Sequence, residues 1–285
     1  MDIIPVYKLM SGENYHVDGL RKNTVWFSNV EQLNDPYEGR IYFEQEEVSI
    51  ANMKSALTQI FYLNNNDLKK SRREVEDRFK KMGKTIFTKH IHKNVSRHFH
   101  EFLKTHHKER HVLSLSKANL SLKENLFPEP LSLMMMWAHY ANGFRGFCIE
   151  YDYSKLIKSI NKINDIRLDA REVEYVKSNL PIIKSSTVID DIIYKNNKTS
   201  KEIIKAYATK HKAWDYENEV RVISPIQGIN KYSEECVNRV FVSELNPSLM
   251  DDVKIILREK KHNPELYQVS LHKKKFGFVF IKVDY

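Results

Sequence analysis

The stretch Lys212-Ala213-Trp214-Asp215-Tyr216-Glu217-Asn218-Glu219-Val220-Arg221 sets two carboxylates and a guanidinium at two-residue spacing. Side chains alternate along a strand, so an extended reading puts Glu217, Glu219 and Arg221 on one face and Val220 and Val222 on the other. A guanidinium beside a carboxylate holds it ionised. An ionised carboxylate fixed on a strand stabilises positive charge that develops during a reaction. The same pattern also describes a ladder of surface ion pairs. The apolar residues behind it and the rings of Trp214 and Tyr216 beside it favour a site.

Two further clusters combine polar and aromatic residues. In Trp137-Ala138-His139-Tyr140, Trp137 and Tyr140 are three apart and share a helical face. His139 points elsewhere and is a proton carrier only if it faces inward. Gly143 and Gly146 then tighten the turn into the apolar run that holds Cys148 and Glu150. The competing reading is a structural one, of core aromatics and a tight turn. Further upstream, Trp26-Phe27-Ser28 runs into Asn34-Asp35-Pro36-Tyr37-Glu38. Local sequence alone reads this loop as an Asx turn with Pro36 setting φ.

The elements that must position these residues follow from pattern. Ile3–Lys8, Thr24–Ser28, His111–Ser116, Phe147–Tyr151, Glu172–Val176, Glu219–Ile223, Arg239–Val242, Tyr267–Leu271 and Phe276–Val283 read as strands. Residues 13–22 read as a short helix or turn. Residues 44–110 carry apolar positions three or four apart, no Pro and one break at Gly83, which predicts two or three helices. Leu131–Ala141, residues 186–213 and the segment from Pro247 to about Lys261 complete the helices. The order is α+β, with a mixed, largely antiparallel sheet and a helical insertion at 44–110, and no linker divides residues 1–285.

Composition narrows the class. At 41% hydrophobic and 11% aromatic, the chain has the apolar mass for a core. No basic segment followed by an apolar run opens it, and no apolar run reaches the length of a membrane span, so the expected setting is cytoplasmic. The two cysteines, Cys148 and Cys236, are expected as free thiols. Net charge is +9. Residues 67–110 hold 14 Lys or Arg against 6 Asp or Glu and so supply +8 of it. Nucleic acid is the first candidate partner for such a block, against the plainer reading of a solvated helix face. The histidines between His90 and His111 lack a companion carboxylate at a diagnostic offset, and no metal ligand is assigned. Walker, GxGxxG and GxSxG templates are missing from the sequence.

With these clusters in view, the chain resembles domain-of-unknown-function family 2971. The elements that carry the resemblance are Tyr7-Lys8, VWFSNVEQLNDPYEG (25–39), LSLS (113–116), MWAHYANGFRGFCIEYD (136–152), VEYV (173–176) and KAWDYENEVRVI (212–223). Their order is specific, and the helical region 44–110 matches least. The resemblance implies a bacterial setting and supports the choice of clusters.

Three functions are carried forward. The first is similarity to ADP-ribosyltransferases that use NAD, in defence (anti-phage included) or stress response. That fold sets an aromatic or basic residue on its first strand, a Ser on the second and a catalytic Glu on a later one, which Tyr7 or Lys8, Ser28 and Glu219 match in order. On this reading Glu219 carries the chemistry with Glu217, Arg221 and His139. Tyr7, Ser28, Asn34, Asp35, Glu38, Trp137, Tyr140, Trp214 and Tyr216 hold the substrate. The second is a nucleic-acid-binding protein or a metal-dependent nuclease using Asp35, Glu38, Glu217 and Glu219. The third is a non-enzymatic regulatory module, in which neutral substitution of Glu219 leaves the effect intact.

Overall fold

The computed structural model describes residues 4–118 and 127–285. In chain order the elements are strand β1 (Pro5–Met10), helix α1 (Asn14–Lys22), β2 (Thr24–Asn29), β3 (Tyr42–Glu44), α2 (Ile50–Asn65), α3 (Leu68–Glu109), β4 (His111–Lys117), α4 (Met134–Tyr140), β5 (Phe147–Asp152), α5 (Tyr153–Asn164), β6 (Asp169–Glu172) and β7 (Glu174–Val176). They continue with β8 (Ile182–Lys184), α6 (Ser185–Tyr194), α7 (Lys198–Ala206), β9 (Thr209–His211), β10 (Glu219–Ser224), β11 (Gly228–Lys231), β12 (Val237–Ser243), α8 (Pro247–Arg258), β13 (Glu265–Leu271) and β14 (Phe278–Val283). The protein is α+β.

The chain divides into two compact units. The first comprises Met1–Asn29, Arg110–Tyr175 and Lys210–Tyr285, and the second Val30–Glu109 and Val176–Thr209.

The first unit is built on a mixed sheet in the order β11-β2-β4-β1-β5-β12-β13-β14, with β10 on β4 and β6 on β10. Its pairings are antiparallel except β12 with β13. Strand β5 is buried along its whole length, Glu150 and Asp152 included. The two faces bury different residues. Val6, Leu113, Leu115, Ile149, Tyr151, Val220 and Val222 pack against α5 and α8 through Leu156, Ile160, Val253 and Leu257. Tyr7, Leu9, Cys148, Phe241 and Val269 pack on the opposite face with Trp137 and Met136 of α4. Helix α5 is absent from the sequence-based reading, although its signal is present. Asp152 caps it by accepting the Lys155 N–H at 3.0 Å, and Leu156, Ile160 and Ile163 follow at helical spacing.

One close approach fixes the entry to β5. A Cβ on Gly146 would stand 2.0 Å from the Met10 carbonyl oxygen, so only glycine lets β1 pass there.

On one edge, β4 is shared between two strands. β2 meets its start through Ser28↔Val112, and β1 meets its end through Tyr7↔Ser116. The stretch Leu113–Leu115 between them faces a gap. Lys8 Nζ reaches into it and donates to the Ser114 carbonyl at 3.0 Å.

The second unit is mostly helical. Helices α2, α3, α6 and α7 carry it, with the parallel pair β3 and β8. Ser49 caps α2 through the Asn52 N–H, and Gly83 breaks α3 at φ 68°, where the sequence places the interruption. Within it the Tyr37 N–H donates to Asp35 Oδ1 at 2.9 Å, the Asx turn expected of Asn-Asp-Pro.

Candidate active site

The first unit brings two of the three clusters together. Residues Lys212–Glu217 form a 3-10 helix, and Asn218 turns the chain at φ 43° into β10. Glu217 therefore stands before the strand and not on it, a correction to the alternating reading. The reason is Asn218, whose residue type tolerates the left-handed region. Glu219 and Arg221 do share a face of β10, as alternation requires. In register on β4, Ser116 is opposite Glu219 and Ser114 opposite Arg221.

Arg221 grips Glu219 with two parallel bonds, Nε to Oε1 at 3.0 Å and Nη2 to Oε2 at 3.1 Å. Their side chains are 1% and 4% exposed, which puts the pair in a dry environment. Lys210 supplies a second cation. Its ammonium lies 2.6 Å from Glu217 Oε2 and 3.7 Å from Glu219 Oε2. The Tyr140 hydroxyl donates to the other oxygen of Glu217. Thus α4, β9 and the 3-10 helix each contribute one member, and β10 contributes two, Glu219 and Arg221.

The two carboxylates differ in electrostatic character. Burial pushes Glu217 above the ordinary glutamate range, although Lys210 and Tyr140 oppose it. Burial also pushes Glu219 upward, but Arg221, Lys210 and a Ser114 hydrogen bond outweigh it and hold the group below that range. The two carboxylates are thus displaced in opposite directions.

Aromatic rings flank the cluster. Lys210 Nζ sits 4.7 Å over the Trp214 ring, and the Tyr216 hydroxyl lies 2.9 Å from His139 Nδ1. His139 is exposed, so it stands at the surface of this cluster. Trp137 is fully buried and donates its indole N–H to the Leu131 carbonyl, a core role. Tyr7 is also core, at 1% exposure, and Glu150 beside it holds Arg239 at 2.8 Å.

A cavity of about 560 Å³ opens at β1, α1 and β2. Lys8, His16, Trp26, Ser28, Leu113 and Ile149 are among the residues that line it. Lys8, one position past Tyr7, thus supplies the basic group of β1. Burial lowers the Lys8 ammonium from its ordinary value, while Glu219 and Glu217 draw it back up. His16 is held neutral, pushed down to about 4 by burial and by Lys8, and its Nδ1 lies 3.0 Å from Ser11 Oγ. Ser28 lines this cavity, as its place on β2 suggests. Asn34, Asp35 and Glu38 belong to the second unit.

Lys210 and Tyr175, whose hydroxyl accepts the Glu219 N–H at 2.8 Å, are missing from the sequence-based candidates. Neither has a local signal. Lys210 lies in a basic, helical-looking run, and its burial at 4% exposure is the only thing that sets it apart.

An α+β unit with a buried, cation-bridged carboxylate pair, and a cavity linked to it electrostatically through Lys8, defines a class of site and not a particular reaction. Residues 136–222 match the family described as protein of unknown function, DUF2971. The match spans the WAHY and GFCIEYD elements and runs through Glu217, Glu219 and Arg221, the residues on which the resemblance was drawn. No curated protein and no solved structure matches the chain. Among the described residues, no helix is long and apolar enough to cross a membrane.

Proposed function

We propose that the first unit is an ADP-ribosyltransferase-like enzyme that cleaves NAD at the bond to nicotinamide. The observation that carries this reading is Lys8, which lines the cavity and whose ammonium is drawn up electrostatically by both Glu219 and Glu217. The cavity lies within the size range of small-molecule sites, roughly 300–1,000 Å³. Trp26 and Tyr15 line it and offer ring faces, Ser28 offers a hydroxyl to an amide, and Lys8 offers a cation to the pyrophosphate.

The chemistry follows from the two carboxylates. Nicotinamide departs as a neutral ring with the electron pair of the glycosidic bond, and the ribose carbon becomes an oxocarbenium ion. Glu219, fixed as an anion by Arg221, stabilises that charge without having to reorganise. The acceptor hydroxyl, or water, attacks the same carbon and loses a proton. Glu217, the second carboxylate of the pair, is the group assigned to accept it.

The test is NAD consumption together with label transfer from labelled NAD, with purified protein in the presence of cell lysate and RNA. The expected result is turnover by wild type, with a loss of about 10²-fold or more in Glu219→Gln, as for other electrostatic stabilisers. Absence of turnover by wild type, or full activity in Glu219→Gln, overturns the reading.

A further inference from the structure

Helix α3 changes direction at Gly83, so Lys84–Glu109 is a helix in its own right. Its buried residues Phe87, Ile91, Val95 and Phe99 form one face, packed inside the second unit, with Phe99 stacked on Phe43 at 4.9 Å. The opposite face is exposed and carries Lys89, Lys93, Arg97, His100, Lys104 and Lys108. Spacings of four, four, three, four and four residues keep these side chains in a sector about 100° wide at 3.6 residues per turn. The row runs about 28 Å at roughly 1.5 Å per residue. Glu101 stands at the rim of the sector and Glu109 well outside it. The ion pairs Lys54–Glu76, Arg78–Glu74 and His107–Glu31 use none of the five Lys or Arg side chains of the row. Arg97 donates to the neutral Asn94, at 2.8 Å.

We propose that this row is a docking surface for the phosphate backbone of a nucleic-acid duplex, bound without regard to sequence. Three observations select that occupant. The cations recur about every 6 Å along a straight line, as a regular polyanion requires and a globular acidic protein does not. The exposed sector holds no Phe, Tyr or Trp ring, and the lone imidazole of His100 is not a platform on which successive bases of a single strand could stack. The apolar face of the helix is already buried in its own unit, so it is not available to enter a lipid surface. The proposal is independent of the chemistry assigned to the first unit.

The experiment is fluorescence anisotropy with a labelled mixed-sequence duplex of about 20 base pairs, titrated at several salt concentrations. Five Lys or Arg contacts predict a slope of log K against log salt of about −4.5, from roughly −0.9 per contact. The triple variant Lys93→Glu, Arg97→Glu, Lys104→Glu is exposed and leaves the fold intact by circular dichroism. It weakens binding more than about tenfold and lowers the slope by about three. The control, Lys69→Glu, Lys70→Glu, Lys81→Glu, makes the same charge change before the kink and leaves affinity within about threefold. Equal loss in both variants overturns the proposal, because net charge alone would then explain binding. A single strand that binds more tightly than the duplex, or anionic vesicles that bind where the duplex does not, also overturns it.

Discussion

Arg221→Met should cost the fold about 3–5 kcal/mol, several times the value of an exposed ion pair. The magnitude follows from what is left behind. Glu219 is 4% exposed and would keep Lys210 at 3.7 Å, a distance at the limit of an ion pair, and its Ser114 bond, but would lose two charge-assisted bonds at 3.0 and 3.1 Å. A buried carboxylate with its main partner removed pays its desolvation without compensation. Replacing both members, Arg221→Met with Glu219→Met, removes the charge as well as the partner and should therefore cost less than the single change. Urea unfolding at pH 7 measures both. The pH dependence gives a second check. Glu219 titrates below the ordinary range when folded, so its contribution is present above about pH 4.3 and fades as pH falls through the folded value. Without Arg221 its folded value rises, and the deficit of the variant should shrink as the medium is acidified. A single-variant loss below about 1 kcal/mol, in the range of a surface pair, refutes the reasoning, as does a double variant whose loss is the sum of two large single losses.

Tyr140→Phe removes a bond that favours ionised Glu217, so Glu217 should rise further and the acid limb of kcat/KM against pH should move to higher pH; an unmoved limb separates Tyr140 from that proton. Glu217→Gln should flatten the stability profile, because a raised folded value contributes stability that is lost as pH rises through it; unfolding midpoints from pH 4 to 8 test this. Gly146→Ala drives a methyl group into the Met10 carbonyl and should lose at least the roughly 1–3 kcal/mol typical of overpacking, read as a lower melting temperature. Cys148 and Cys236 are both buried, and burial raises their thiols, Cys236 up to about 11, so Ellman's reagent at pH 8 should find neither until denaturant is added.

Much of the first unit is legible in the sequence because its strands are uniformly apolar or strictly alternating. β5 and β10 fall within a residue of their expected ends. The break at Gly83 is legible for a single reason, the lone glycine in an otherwise helical stretch. What escapes is whatever depends on distant partners. Lys210 looks like one more solvated lysine until β9 carries it under Trp214. Glu217 looks like a strand residue until Asn218 turns the chain. Tyr7 and Lys8 are adjacent in sequence, and only the register of β1 with β5 and β4 decides which one enters the aromatic core and which one lines the cavity. The division into units is also hidden, because the second unit draws on two stretches separated by residues 110–175.

That interleaving bears on how the protein is made. β4 cannot complete both of its edges until β10 has been synthesised, some 210 residues after β1 leaves the ribosome. Counted from β4 itself the wait is about 100 residues, so at roughly 5–20 residues per second the nascent chain spends on the order of 5–20 s with β4 unpaired along part of one edge. Over the same interval the helices of residues 50–109 have only local contacts to make and can form at once. Assembly of the carboxylate site is thus a late event, and the exposed edge of β4 is the point at which a chaperone, or a misplaced strand from another chain, has time to act.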